Sequence, residues 1–277
     1  MDIGSIVARL LPVLGALALA SVIEALAPLR HQPRWIYGRL ASNLCLLVIT
    51  LTLSVLLNFT LALGAAYVGQ SGLGLLQVFE FGAAASFMIA FLALDGASYL
   101  VHRLMHRTPA LWRVHLVHHI DASVDATTAF RQHPIEGVLR FVFIAAAAWL
   151  VGAPPAAVAL YRLLGALNSV LEHANIRVPL WLDRMLVYVW VTPDMHKVHH
   201  SRERIETDSN YANLFSFFDR AFGTFTCSSR GRSVEYGIHG YDAAERQSVA
   251  ALLWLPSTRA REQSRAPAAH TSNSAPS

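Results

Sequence analysis

The sequence predicts an all-α integral membrane protein, with three transmembrane helices plus a re-entrant helical hairpin (or two short spans) beneath a cytoplasmic helical cap. Three observations predict it. Of 277 residues, 54% are apolar and 14% charged, where soluble domains carry roughly 25% charged residues. The mean hydropathy is +0.41, and the charges crowd between long apolar blocks instead of spreading evenly. Eight of the thirteen histidines fall into registers of three and four residues, the spacing that puts side chains on one face of a helix, and His173 stands singly beside them.

The apolar blocks follow in order. Leu10 to Leu29 is long enough to cross a bilayer core, with Glu24 its one charge. A cleaved signal peptide is the alternative, but Asp2 and a single Arg9 make a poor n-region and the apolar run is too long. Arg30, Arg34 and Arg39 crowd the next linker, which the positive-inside rule places in the cytoplasm. Leu40 to Ala66 is the second span, Tyr67 to Gln77 an uncharged Gly-rich turn, and Val78 to Val101 the third span, carrying Glu80 and Asp95. The third helix therefore runs inward and delivers His102 and His106 at its cytoplasmic end. Gly137 to Leu171 is apolar again but broken by Gly152-Ala-Pro-Pro155. Each half has about 15 residues, short of the roughly 20 of a full crossing, so the segment reads as a hairpin returning to the same side. The chain thus divides into membrane helices (1–101), a histidine-rich region containing the hairpin 137–171 (102–225), and an extension (226–277). That extension is expected to be disordered from about residue 256, where Ser, Ala, Pro and Arg dominate.

The histidines carry the chemistry. His102 and His106 are spaced i, i+4, while His115, His118 and His119, and again His196, His199 and His200, are spaced i, i+3, i+4. Neutral imidazole is the commonest protein metal ligand. Neighbours such as His118 and His119 diverge by about 100° on a helix, which suits two metals bridged by one helix better than one. His173 follows the second arm of the hairpin and emerges at the same face, as a ligand or as a partner of one. His133 precedes a proline, so its backbone is extended, and it stays open between ligand, outer partner and loop structure. Asp95, Tyr99, His102 and His106 form one stripe at spacings of four, three and four. A carboxylate and a phenol within a span are costly without partners, so Asp95 and Tyr99 are candidates to orient the imidazoles, or else make a structural contact. Asn210 and Asp219 are open between that role and capping of short helices. His31, His239 and His270 lie outside any cluster.

Absences narrow the classes. Cys45 and Cys227 form no C-x-x-C pattern, which gives neither a disulfide framework nor a zinc ribbon. The net charge of +4 is explained by flanking cations, and no nucleic-acid motif is present. There is no H-E-x-x-H, G-x-S-x-G or P-loop, and no Glu-x-x-His pair of the soluble di-iron bundles.

The set His102-Arg-Leu-Met-His106, His115-Leu-Val-His-His119 and His196-Lys-Val-His-His200 resembles the fatty acid hydroxylase and sterol desaturase superfamily of integral-membrane di-metal oxygenases. Arg131-Gln-His-Pro134, His173-Ala-Asn175, Asn210-Tyr-Ala-Asn213 and Asp219-Arg-Ala-Phe-Gly-Thr224 also look like family segments, so the likeness covers roughly Asp95 to Phe225. Some members carry a second histidine four residues beyond the one matching His173; here that position is Arg177. The resemblance implies two iron ions that reduce dioxygen and attack a C–H bond of a sterol, fatty acyl chain or related lipid, giving an alcohol or an alkene. It also implies a separate electron-transfer protein, because no flavin, nicotinamide or iron–sulfur motif is present. Lys197, Arg202, Arg204 and Arg220 would suit an acidic carrier, or equally are positive-inside flanks. Two other classes remain: a zinc-dependent membrane hydrolase, disfavoured by so many ligands, and a metal transporter, disfavoured by histidines gathered at one membrane edge.

Overall fold

The computed structural model describes residues 3–31, 36–79 and 81–258. Arg34, Glu80 and the expected disordered tail beyond residue 258 lie outside them. Among the described residues the chain is helical, with one isolated bridge pair, Ser201 and Tyr236.

Long helices and a hairpin make the bundle. They are α1 (Ile3–Leu26), α2 (Ile36–Ser71), a single turn α3 (Leu75–Val78), α4 (Ala83–Arg107), and the hairpin arms α6 (Pro134–Val151) and α7 (Pro155–His173). Between α4 and the hairpin lies α5 (Pro109–His119). Among the described residues three stretches are long and apolar enough to cross a membrane: Gly38–Val78, Ala83–Arg107 and Pro134–Val151. The first hairpin arm is among the three, and Leu10–Leu26 of α1 adds a shorter apolar stretch.

Two boundaries differ from the sequence expectation. α2 continues through the expected turn as far as Ser71, because nothing there breaks a helix before Gly72, whose φ is 70°. α4 runs past Val101 to Arg107 and stops where Thr108 precedes Pro109. His102 and His106 are therefore inside the helix, held in register by it.

The hairpin reverses at Gly152, which adopts φ 67° and closes α6 in left-handed conformation. Its tip reaches the connection between α2 and α4: Gln77 Nε2 donates to the Gly152 carbonyl at 3.0 Å. A Cβ at Gly152 would sit 2.8 Å from Gly74 Cα, so both conformation and closeness require glycine. The opposite ends of both arms meet the histidines. Leu61, Ala65, Phe91, Leu94, Ile144 and Ala148 fill the seam between α2, α4 and the hairpin, burying the apolar faces that drive the helices together.

The cap is made of short elements: α5, α8 (Leu180–Leu186), α9 (Pro193–His199), α10 (Arg204–Thr207), α11 (Phe217–Ala221) and α12 (Val249–Trp254), joined by loops and 3₁₀ turns. Buried ion pairs fasten it to α2. Arg39 donates to Asp121 Oδ2 at 2.6 Å and also pairs with Asp125. Arg131 donates to the Val117 carbonyl (2.9 Å), Asn43 Oδ1 (2.8 Å) and Gln247 Oε1 (2.6 Å). Arg39 and Arg131 hold Asp121 down at about 2, against the opposing effect of its burial. Removing one partner of such a buried pair costs about 3–5 kcal/mol.

Candidate metal centre

The nine clustered histidines converge at the cap end of the bundle, and each is 0–5% exposed. They form two groups, within each of which the candidate ligand atoms lie within 4.8 Å of one another. The first holds His102 and His106 of α4, His115 and His119 of α5, and His199 of α9; the second holds His118 of α5, His173 of α7, His196 of α9 and His200, which caps α9. Each triplet is split in the same way. Its i, i+4 pair goes to one group and its middle residue to the other, because the middle residue points about 100° away on the helix. α5 gives its pair to the first group and α9 gives its pair to the second.

The chain fixes three of the nine rings from behind. Nδ1 of His102 donates to the Tyr211 carbonyl (2.8 Å), Nδ1 of His173 to the Ser169 carbonyl (2.6 Å) and Nδ1 of His199 to the Ser209 carbonyl (2.6 Å). A carbonyl only accepts, so these Nδ1 atoms carry the proton and Nε2 carries the lone pair. His115 Nδ1 lies 3.0 Å from Glu136 Oε1, and His106 Nδ1 lies 3.4 Å from Asp208 Oδ1. Such contacts set the tautomer and raise ligand basicity.

In the second group the Nε2 atoms face one another. His173 Nε2 lies 3.1 Å from His118 Nε2, 3.1 Å from His200 Nε2 and 3.0 Å from His196 Nε2. One lone pair facing three ring nitrogens is an arrangement that no set of protons satisfies, whereas a cation among them satisfies every nitrogen. The first group repeats the pattern, with His115 Nε2 3.1 Å from both His102 Nε2 and His119 Nε2. As the edge of an octahedron, 3.1 Å corresponds to a ligand distance of about 2.2 Å; as a tetrahedral edge it gives about 1.9 Å, shorter than the roughly 2.0–2.1 Å of a zinc–imidazole bond. The donor set fits a transition-metal cation held by imidazole nitrogens.

Electrostatics prepare the same state. Burial, followed by the charge of neighbouring imidazoles, holds His118, His119, His196 and His200 well below the ordinary histidine value. Burial takes His199 down to about 3. These rings are neutral at pH 7, so a cation displaces no proton from them.

The four expected orienting residues act one link further out than expected. Asp95 accepts from the backbone N–H of Leu214 (3.1 Å) and Phe215 (2.9 Å) and from the Tyr161 hydroxyl (3.1 Å). Tyr99 pairs with Thr224 Oγ1 at 2.9 Å, and Thr224 donates to Asp219. Asp219 accepts from the N–H of Tyr211 (2.8 Å) and Ala212 (2.9 Å), and burial raises its carboxyl to about 6. Asn210, at φ 55°, donates to the Met195 and Thr226 carbonyls, each at 3.0 Å. All four fasten the loop 209–215, whose Ser209 and Tyr211 carbonyls hold His199 and His102. Seven residues of helix separate Asp95 from His102, about 10 Å, which is too far for direct contact.

His133 stays outside both groups. Its Nδ1 accepts from Ile135 N–H (3.2 Å) as the N-cap of α6, and its Nε2 meets the Leu253 carbonyl at 3.1 Å. Arg177 is exposed beyond the end of α7, so no ligand at that position would share the helix face of His173. Lys197, expected on a cationic surface, is 0% exposed, and its Nζ has no hydrogen-bond partner among the described residues. Burial lowers it to about 8. Of the other expected cations, Arg202 pairs with Asp242 and Arg220 lies over the Phe225 ring at 3.8 Å.

Sequence reasoning missed Glu136, Asp208 and Glu172. Glu172 Oε1 lies 3.8 Å from His196 Nε2, the closest carboxylate to the second group among the described residues. A signal existed for Glu136, an acid in the first turn of an apolar helix. None existed for Ser169, Ser209 and Tyr211, which act through backbone carbonyls.

Comparison with known proteins adds to this geometry. A family model described as fatty acid hydroxylase matches residues 87–224, about half of the chain and all nine histidines. The human alkylglycerol monooxygenase is 30% identical over 149 residues, covering 54% of this chain and 32% of that protein. An ornithine lipid hydroxylase of Rhizobium tropici is 29% identical over 145 residues, 51% of this chain and 42% of that protein. A very-long-chain aldehyde decarbonylase of Oryza sativa is 31% identical over 141 residues, 50% of this chain and 53% of that protein. The chain spans about a third of the length of the alkylglycerol monooxygenases it matches. No solved structure matches it.

Proposed function

This chain belongs to the fatty acid hydroxylase superfamily, and we propose that it is a membrane-bound, dioxygen-dependent oxygenase that uses two iron ions to hydroxylate or desaturate a lipid C–H bond. The observation that carries the proposal is the division of nine buried histidines into groups of five and four, each converging on a point. His102, His106, His115, His119 and His199 would hold one ion, and His118, His173, His196 and His200 the other. Bound iron supplies the redox chemistry by which dioxygen is activated toward an otherwise inert C–H bond. The chain's own contribution is to present neutral Nε2 lone pairs, to lock His102, His173 and His199 in orientation through Nδ1 and to exclude water around the site.

A cavity opens onto this centre. It is walled by α2, α4, α6 and α7 and reaches His102, His118, His173 and His196. A lipid entering between these helices would bring its C–H bond to the histidines without leaving the bilayer. The cations of the linker after α1 favour the cytoplasmic side for this end of the bundle by the positive-inside rule, where a separate electron-transfer protein would dock. The lipid-hydroxylating relatives support the substrate class, and the number and packing of imidazoles disfavour the zinc hydrolase and transporter readings.

The test is a lipidomic comparison of cells carrying the active chain with cells carrying His118→Ala. The proposal expects a lipid species enriched by one oxygen, or depleted of two hydrogens, in the first only. Identical lipid profiles would overturn it.

A further inference from the structure

Arg162 stands out in the bundle. It is on the inner stretch of α7, its Nε donates to Asn58 Oδ1 of α2 at 3.0 Å, and among the described residues no carboxylate pairs with it. A guanidinium in an apolar bundle without an acid costs several kcal/mol, and such residues mark substrate or ion pathways. Arg162 also lines the cavity that reaches the histidines, and so does Arg140 of the facing arm α6.

The nearby acids leave Arg162 without a carboxylate: one pairs with Arg140 and the other sits at the histidine end. Glu136 Oε1 accepts from Arg140 Nε at 2.9 Å but is shared with His115, at 3.0 Å. Glu172 sits at the histidine end, where it accepts from Asn168 Nδ2 at 3.2 Å and approaches His196 at 3.8 Å. Thr50 and Ser54 of α2 add hydroxyl donors to the same wall. A wall built for hydrocarbon alone would be apolar. Two guanidiniums with hydroxyl donors form instead the planar, multidentate donor array that recognises phosphate or carboxylate.

We propose that Arg140 and Arg162 form an anion-recognition subsite for the acidic headgroup, phosphate or carboxylate, of the lipid that this protein binds. The proposal takes from the functional reading only that the ligand is a lipid.

The test is binding, so it does not depend on turnover. Metal-loaded, full-length protein in neutral detergent, kept anaerobic, is titrated with dioleoyl phosphatidic acid, with dioleoylglycerol and with inorganic phosphate, and thermal stabilisation is read. Wild type is expected to be stabilised by the phosphatidic acid and not by the diacylglycerol of the same chains. Arg162→Gln is expected to bind phosphatidic acid at least about tenfold more weakly, roughly 1.4 kcal/mol, with iron content unchanged as evidence of an intact fold; Arg162→Lys, which keeps charge but loses the fork, falls between them. Equal stabilisation by the diacylglycerol overturns the proposal, as does undiminished binding by Arg162→Gln. If inorganic phosphate stabilises as strongly as the lipid, the site is one for a free anion and the lipid assignment fails. Should Arg162→Gln not fold, the wild-type contrast between the two lipids and the Arg162→Lys titration still decide. Failure here with an oxygenated product in cells removes the subsite alone, and the reverse outcome removes the oxygenase reading alone.

Discussion

The Glu136 carboxylate lies 3.0 Å from Nδ1 of His115, while its same oxygen accepts from Arg140 Nε at 2.9 Å. One acid on the hairpin arm therefore ties a candidate ligand on α5 to a cation on the cavity wall. Glu136→Gln keeps the shape but loses the charge that orients and polarises His115. Iron affinity, measured by competition with a chelator, should fall by about 10–100-fold. Unchanged affinity would mean that His115 needs no orienting partner.

His133 separates a cap from a ligand. His133→Ala should retain full iron content, because the ring is committed to Ile135 N–H and the Leu253 carbonyl. Stability should drop by about 1 kcal/mol for the lost N-cap, read as a lower denaturation midpoint. Loss of an ion from this variant would return His133 to the ligand set.

The buried histidines give the metal-free protein a defined pH dependence. The folded-state values of His196, His199 and His200 lie below the ordinary one, with His199 at about 3. Below about pH 6.5 the unfolded chain takes up protons that the folded chain refuses. Stability is therefore complete above about pH 6.5 and declines as pH falls toward 3. Each histidine that stays neutral in the folded chain while its unfolded counterpart is protonated removes about 1.4 kcal/mol for every tenfold rise in proton concentration. Thermal midpoints of chelator-treated protein between pH 7.5 and 4.5 check this, and a flat profile would contradict it.

Oxygen in the product should derive from dioxygen. With ¹⁸O-labelled dioxygen a hydroxylated lipid should carry the label; a desaturated one should instead be two mass units lighter. Label arriving solely from labelled water would point to hydrolysis or hydration.

Much of this site was legible in the sequence, and the reason is helical periodicity. The spacing of His115, His118 and His119 is enough to predict that one helix serves two points, and the structure divides them in that way. The Gly152-Ala-Pro-Pro155 break likewise locates the hairpin tip. What escaped depended on the third dimension. That Asp95, Tyr99, His102 and His106 share one stripe of α4 could be read, but not that Asp95 reaches backbone N–H groups of the loop 209–215 instead of a ring. Lys197 looked like a surface charge because it sits in a basic segment, yet α9 turns it wholly inward. Arg162 carried a signal, a cation within an apolar arm, whose meaning needed the opposing Arg140 and the cavity between them.

Counting metal in the purified protein tests the central claim most directly. The account predicts about two irons per chain in wild type, about one in His106→Ala, which touches only the first group, and about one in His196→Ala, which touches only the second. A single ion in wild type, or full retention in both variants, would contradict a centre divided between five histidines and four.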